Sequence, residues 1–128
     1  MSFTKDMERF IKKAEKAVLM TYRGTALEVF GSVIRRTPVD TGRLRANWQV
    51  DLNRPAIGEV NGTPQQAVNK GRSEIGRAKA SDSIYITNNL PYAQVIEEGS
   101  SKQAPQGMVG ITVRMYRRIV AAQARKNK

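Results

Sequence analysis

The sequence predicts an α+β domain, with a long N-terminal helix and C-terminal helices packed on a small, mainly antiparallel sheet. Three observations carry that expectation. Apolar residues recur in steps of three and four up to residue 36, alternate strictly over 44–52, and return to the helical period from Met108. Residues 4–36 read as one helix, with Met7, Phe10, Ile11, Ala14, Val18, Tyr22, Ala26, Val29, Phe30 and Val33 along one stripe. Asp6 and Glu8 in its first turn and Arg35 and Arg36 in its last suit the helix dipole. Pro38 drives Thr37 out of the helical region and ends the element. At about 1.5 Å per residue the helix would span about 45 Å, more than a compact domain of this size is wide. One end is therefore expected to project or to pack on another subunit.

Leu44, Ala46, Trp48, Val50 and Leu52 alternate with Arg45, Asn47, Gln49 and Asp51, the pattern of a half-buried strand. Asn53-Arg54-Pro55 turns the chain, Ile57 to Val60 reads as a weaker second strand, and Asn61-Gly62 is a hairpin dipeptide. Strands are thus expected over about 43–60. The next segment holds no aromatic and few apolar residues, so a mobile arm or loop is predicted over about 61–82. A short strand is expected over 83–88 and a short helix over 91–98, opened by Pro91 and closed by Gly99. The last helix, over about 108–125, sets Met108, Ile111, Thr112, Met115, Tyr116, Ile119 and Val120 on its apolar side and Arg114, Arg117 and Arg118 elsewhere. The whole chain, 1–128, reads as one domain.

The side-chain inventory narrows function sharply. Cysteine and histidine are absent, which excludes disulfides, thiolate nucleophiles, Ser-His-Asp triads and Cys/His zinc sites. No catalytic, cofactor-binding or metal-ligating residue can be nominated, and a non-enzymatic protein is expected. Lys and Arg number 22 against 11 acidic residues, a formal charge of +11 that favours polyanions or an acidic partner. The charge is unevenly placed. Residues 81–100 carry three acidic and no basic side chains, whereas 101–128 carry seven basic and no acidic ones. No apolar run approaches the roughly 20 residues of a membrane span, and the N-terminus has no signal-peptide core, so a soluble protein made in the cytoplasm is expected.

Several short motifs invite chemistry that their surroundings do not support. Asp40-Thr41-Gly42 spells the aspartic-protease triplet, but it follows a helix end and leads into Arg43-Leu44-Arg45 rather than a buried strand. A helix-to-strand turn explains it better: Pro38 sets φ, Asp40 and Thr41 bond nearby amides, and Gly42 takes a backbone conformation denied to other residues. Gly107 and Gly110 flank Met108-Val109 at a helix start and could offer amides to a phosphate, although no Gly-Lys-Ser/Thr follows. Trp48 and Tyr85 could stack on bases, but Trp48 shares its side of the strand with core residues.

Two longer stretches are more specific. Thr37-Pro-Val-Asp-Thr-Gly-Arg-Leu-Arg-Ala-Asn-Trp48 follows the amphipathic helix directly. The second runs Tyr85-Ile-Thr-Asn-Asn-Leu-Pro-Tyr-Ala93, then Ile96-Glu97-Glu98-Gly99, then Ser101-Lys-Gln-Ala-Pro-Gln-Gly-Met-Val109. In this order and at this separation they resemble the tail-component, or tail-completion, proteins of long-tailed bacteriophages, the family that includes the lambda Z-type minor tail proteins. The resemblance implies a virion protein of the neck or tail, made in the host cytoplasm. It would complete the tail and join it to the head as a subunit of a homo-oligomeric ring around the DNA channel. Six subunits are preferred and twelve possible, with other phage neck and tail proteins as partners and no membrane.

In such a ring Glu97 and Glu98, which lie in a twenty-residue stretch without a basic side chain, are expected to pair across a subunit interface with Arg36, Arg114, Arg117 or Arg118. Lys70, Arg72, Arg77 and Lys79 of the predicted arm become candidates for non-specific contact with double-stranded DNA. Pro38, Asp40, Thr41, Gly42 and Gly99 are expected to be structural turn residues. The alternative from a different class is a small basic nucleic-acid-binding regulator that uses the last helix and basic tail.

Overall fold

The computed structural model describes residues 3–39, 42–99 and 107–128. Eight elements follow one another among them: α1 (Phe3–Arg35), α2 (Arg43–Ala46), β1 (Trp48–Leu52), α3 (Pro64–Arg77), β2 (Ile84–Asn88), α4 (Ala93–Glu97), α5 (Val109–Arg114) and α6 (Tyr116–Lys126). The class is α+β and mostly helical, with one two-stranded antiparallel sheet among the described residues. Trp48 faces Asn88, Val50 faces Ile86 and Leu52 faces Ile84.

The second half of α1 is the central support. Ala26, Phe30, Val33 and Ile34 form a core with Leu44, Trp48 and Val50 around β1, Ile75 of α3, Leu90, Ala93 and Met108. The α5–α6 arm runs back along α1 in the opposite direction. Ser32 meets Thr112 hydroxyl to hydroxyl at 2.9 Å, and Asn127 Nδ2 reaches Thr21 Oγ1 at 3.4 Å. On the other side Tyr22 and Arg23 donate to the carbonyls of Asp82 and Ala78. The first four turns of α1 lie beyond both supports, and residues 4–16 are exposed on every side.

Four element expectations need correction. First, residues 43–46 form a helical turn rather than the start of a strand. Gly42 has φ +76°, and the Ala46 amide bonds its carbonyl at 3.0 Å, so the strand begins only at Trp48.

Second, 57–60 is not a strand, because side chains take the place of a ladder. Asn47 donates to the Val60 carbonyl and accepts from the Val60 amide, Gln49 donates to the Gly58 carbonyl, and Asn89 donates to the carbonyls of Ala56 and Gly58. Backbone groups left without a ladder are thus still paired. The held loop presents Ile57, 94% exposed, at its surface. Nor does Asn61-Gly62 form a hairpin turn; neither residue has the positive φ such a turn requires.

Third, the predicted arm is an ordered helix. Thr63 accepts from the Gln66 amide while Gln66 accepts from the Thr63 amide, a complete capping box with Pro64 in the first turn. Ile75 and Ala78 have no exposed surface, and Val68 packs on the core. The segment buries enough to order itself because its few apolar residues share one side and Gly71 lets the backbone approach Phe30 closely.

Fourth, the last helix is two. A break at Met115, whose φ is −90° and ψ −1°, separates α5 from α6. The short helix before it is confined to Ala93–Glu97, and Gly99 beyond it has φ +89°. Asp40 and Thr41 lie outside the described residues.

One buried contact links the end of α1 to the start of β1. The Trp48 indole N–H donates to Thr37 Oγ1 at 2.8 Å, and that hydroxyl donates to the Val33 carbonyl at 2.7 Å. Thr37 is thereby tied to both α1 and β1, with Pro38 buried beside it. Thr37→Val keeps the shape but leaves the indole donor unpaired, and should lower stability by about 1–2 kcal/mol in chemical denaturation. An unchanged midpoint would mean that the hydroxyl contributes only volume.

Candidate interaction surfaces

Among the described residues no group of acidic side chains is placed to hold a metal ion, and no helix is long and apolar enough to cross a membrane. Three surfaces carry the residues singled out from the sequence.

The first centres on Glu97. Its Oε1 accepts the amides of Met108 and Val109, each at 2.7 Å, and its Oε2 accepts the amide of Gly110 at 2.8 Å. Partial burial pushes this carboxyl up, but the three amides together outweigh burial and hold it below the usual glutamate range. The anion that the Met108, Val109 and Gly110 amides receive is thus the protein's own side chain. Gly107, at φ +82°, is required there, since a Cβ would come within 2.5 Å of the Glu97 carbonyl oxygen. The premise that local structure offers Glu97 no partner is corrected: three backbone amides bind it. Glu98, one residue on, is exposed.

The second surface is the basic side of α5 and α6, where Arg114, Arg117 and Arg118 are exposed. Arg36 does not join them in solvent. It is half-buried and reaches Ser32 Oγ at 3.4 Å and Met115 Sδ at 3.6 Å, which ties the end of α1 to the α5–α6 break.

The third is the outer surface of α3. Lys70, Arg72, Arg77 and Lys79 are all exposed, but they do not form one patch. Lys70 borders the cleft between α3 and β1, beside Trp48 and Asp51. Arg72 lines an open groove of about 550 Å³ between α1 and α3, together with Glu28 and Arg35. Those two, both on α1, pair along its wall at 3.2 Å. Arg77 pairs with Glu74 at 2.9 Å. Lys79 follows the helix in a turn closed by Asp82, whose carboxylate accepts the Lys79 amide and the Asn53 side chain and is held below its usual range by them. Sequence reasoning missed one further feature, the chain of Asn47, Gln49 and Asn89 that holds Ile57 outward.

The family described as "Bacteriophage HK97-gp10, putative tail-component" matches over residues 2–99, and the chain belongs to that family. It is a bacteriophage tail component, virion-associated and with a structural role. The match takes in the Thr37–Trp48 stretch and the Tyr85–Gly99 stretch and stops before α5. No curated protein and no solved structure matches the chain.

Proposed function

We propose that the protein completes the tail at the neck, as a non-enzymatic subunit of a ring of copies through which DNA passes. The observation that carries this reading is the unsupported first half of α1, where Phe10 stands 73% exposed on an apolar stripe. A chain with that stripe uncovered is an unfinished interface. Membership of a tail-component family supplies the setting. The formal charge of +11, with Arg114, Arg117, Arg118 and Lys70 in solvent, suits contact with the phosphates of passing DNA, which needs no sequence readout. Six copies remain the preferred number and twelve the alternative.

Electron microscopy of particles made without this protein tests the reading. Filled heads lying apart from tails, or tails unable to join, are expected; intact virions at normal yield would overturn it. Sizing by light scattering with and without DNA separates it from the small basic regulator. A concentration-dependent oligomer favours the ring, and a monomer with salt-sensitive, site-selective DNA binding favours the regulator.

A further inference from the structure

The free half of α1 also carries information about what covers it. At about 100° per residue, Met7, Phe10, Ile11, Ala14, Ala17 and Val18 fall on one side of the helix. Val18 is 62% exposed, and Met7 and Ile11 are close to half exposed. The end of α6 and the residue Ala80 close only the base of the stripe, and leave an apolar hollow on either side of Phe10. One hollow, of about 490 Å³, is bordered by Lys13, Lys16, Ala17 and Met20; the other, of about 310 Å³, by Ile11, Glu15, Val18 and Ala80. The two hollows are shaped to receive side chains from another helix, as knobs enter holes.

The edges of the stripe differ in charge. Beyond Ile11 and Val18 lie Glu15 and Glu8, backed by Lys12; beyond Ala17 lie Asp6 and Lys13, backed by Arg9 and Lys16. Among the described residues none of Glu8, Arg9, Lys13, Glu15 and Lys16 is in an ion pair. Two antiparallel copies would set acidic edge on acidic edge and basic on basic. Two parallel copies set the acidic edge of each against the basic edge of the other.

We propose that residues 6–18 dock on the same segment of a second copy of this chain, in parallel. The inference refines the self-association in the proposed function and rests on that reading only in taking copies of this chain to meet one another. Parallel helices that share one stripe are related by a two-fold along them, which pairs copies two by two and keeps both N-termini at one end. Antiparallel helices need a perpendicular two-fold, which would give a ring two identical ends. A neck ring with a head side and a tail side needs the former.

The chain has no cysteine, so single introduced cysteines report orientation cleanly. Met7→Cys and Ala17→Cys sit near opposite ends of the stripe. Under mild oxidation each should link to its own kind, in concentrated protein or in assembled particles. A mixture of the two should give almost no cross-linked heterodimer. Links formed only in the mixture would mean antiparallel docking, and no links in either protein or particles would mean that this stripe is not the contact; each overturns the proposal. Phe10→Asp should weaken self-association at least tenfold while leaving the thermal midpoint of the dilute protein unchanged, because Phe10 is largely exposed and lies outside the buried core. Particles that need the protein but form no links leave the tail role standing and remove this docking mode. Homotypic links in a protein that particles can lose without effect do the reverse.

Discussion

Ile75→Ala should destabilise the protein by about 2–5 kcal/mol, the cost of emptying a site that has no exposed surface. The side chain lies among α1, β1 and α3, so nothing on the surface can relax to fill the space it leaves. Gly71→Val tests the same contact from the opposite direction. A Cβ on Gly71 would run into the Phe30 ring and come within 3.1 Å of Val50 Cγ2, so α3 must lift from α1 or Phe30 must leave its place. Overpacking of this kind costs about 1–3 kcal/mol. Both variants should shift the urea midpoint with little change in slope. Replacing 63–82 by a Gly/Ser linker, harmless if that segment were an arm, should instead unfold the monomer. Retention of a cooperative transition after that replacement would show that α3 is an accessory to the core.

The reason α3 escaped sequence reasoning is physical. Composition registers how much apolar surface a segment has, and this one has little. It does not register that Ala67, Val68, Gly71, Ile75 and Ala78 converge on one side, or that a glycine can contribute by absence. The legible signal was at the start, where Thr63-Pro64-Gln65-Gln66 spells a capping box with proline at the first helical position. The first helix, by contrast, was readable over its length because ten apolar residues repeat with one period, and its excess length correctly implied an unsupported end. The 44–52 alternation was ambiguous for a subtler reason. Leu44 and Ala46 are buried, as a strand would have them, yet they sit on a single helical turn that Gly42 and Asn47 impose. Hydrogen bonds that hold the 56–60 loop come from Asn47, Gln49 and Asn89, and no local pattern announces them. The Glu97 site was half legible: Gly107 and Gly110 marked a cradle of amides, and its anion stood ten residues upstream, in plain view and assigned to a neighbour instead.

Glu97→Ala should cost on the order of 2–3 kcal/mol near neutral pH, since it removes an ionised acceptor from three amides and leaves the first turn of α5 without a cap. The loss should be local, with amides from Gly107 to Thr112 exchanging faster while those of α3 keep their protection. Its pH dependence follows from the sign of the shift. The folded carboxyl binds its proton less readily than an unfolded one, despite the burial that opposes this. Its contribution is therefore fully present above the unfolded glutamate pKa of about 4.3, and is lost as pH falls through the lower folded value. The stability gap between wild type and Glu97→Gln should accordingly be constant from pH 7 to about pH 5 and shrink below about pH 4. Asp82, also held low, is common to both proteins and cancels in the difference. A gap that stayed constant down to pH 2 would mean that the carboxylate charge is not what the amides recognise. Charge reversal at Glu97 is thus a folding variant, and failure of Glu97→Lys to assemble would say nothing about a subunit interface. Glu98, exposed and one residue away, is the carboxylate whose reversal can report on a basic neighbour: Glu98→Lys should leave the thermal midpoint in place, so any assembly defect it causes arises between subunits.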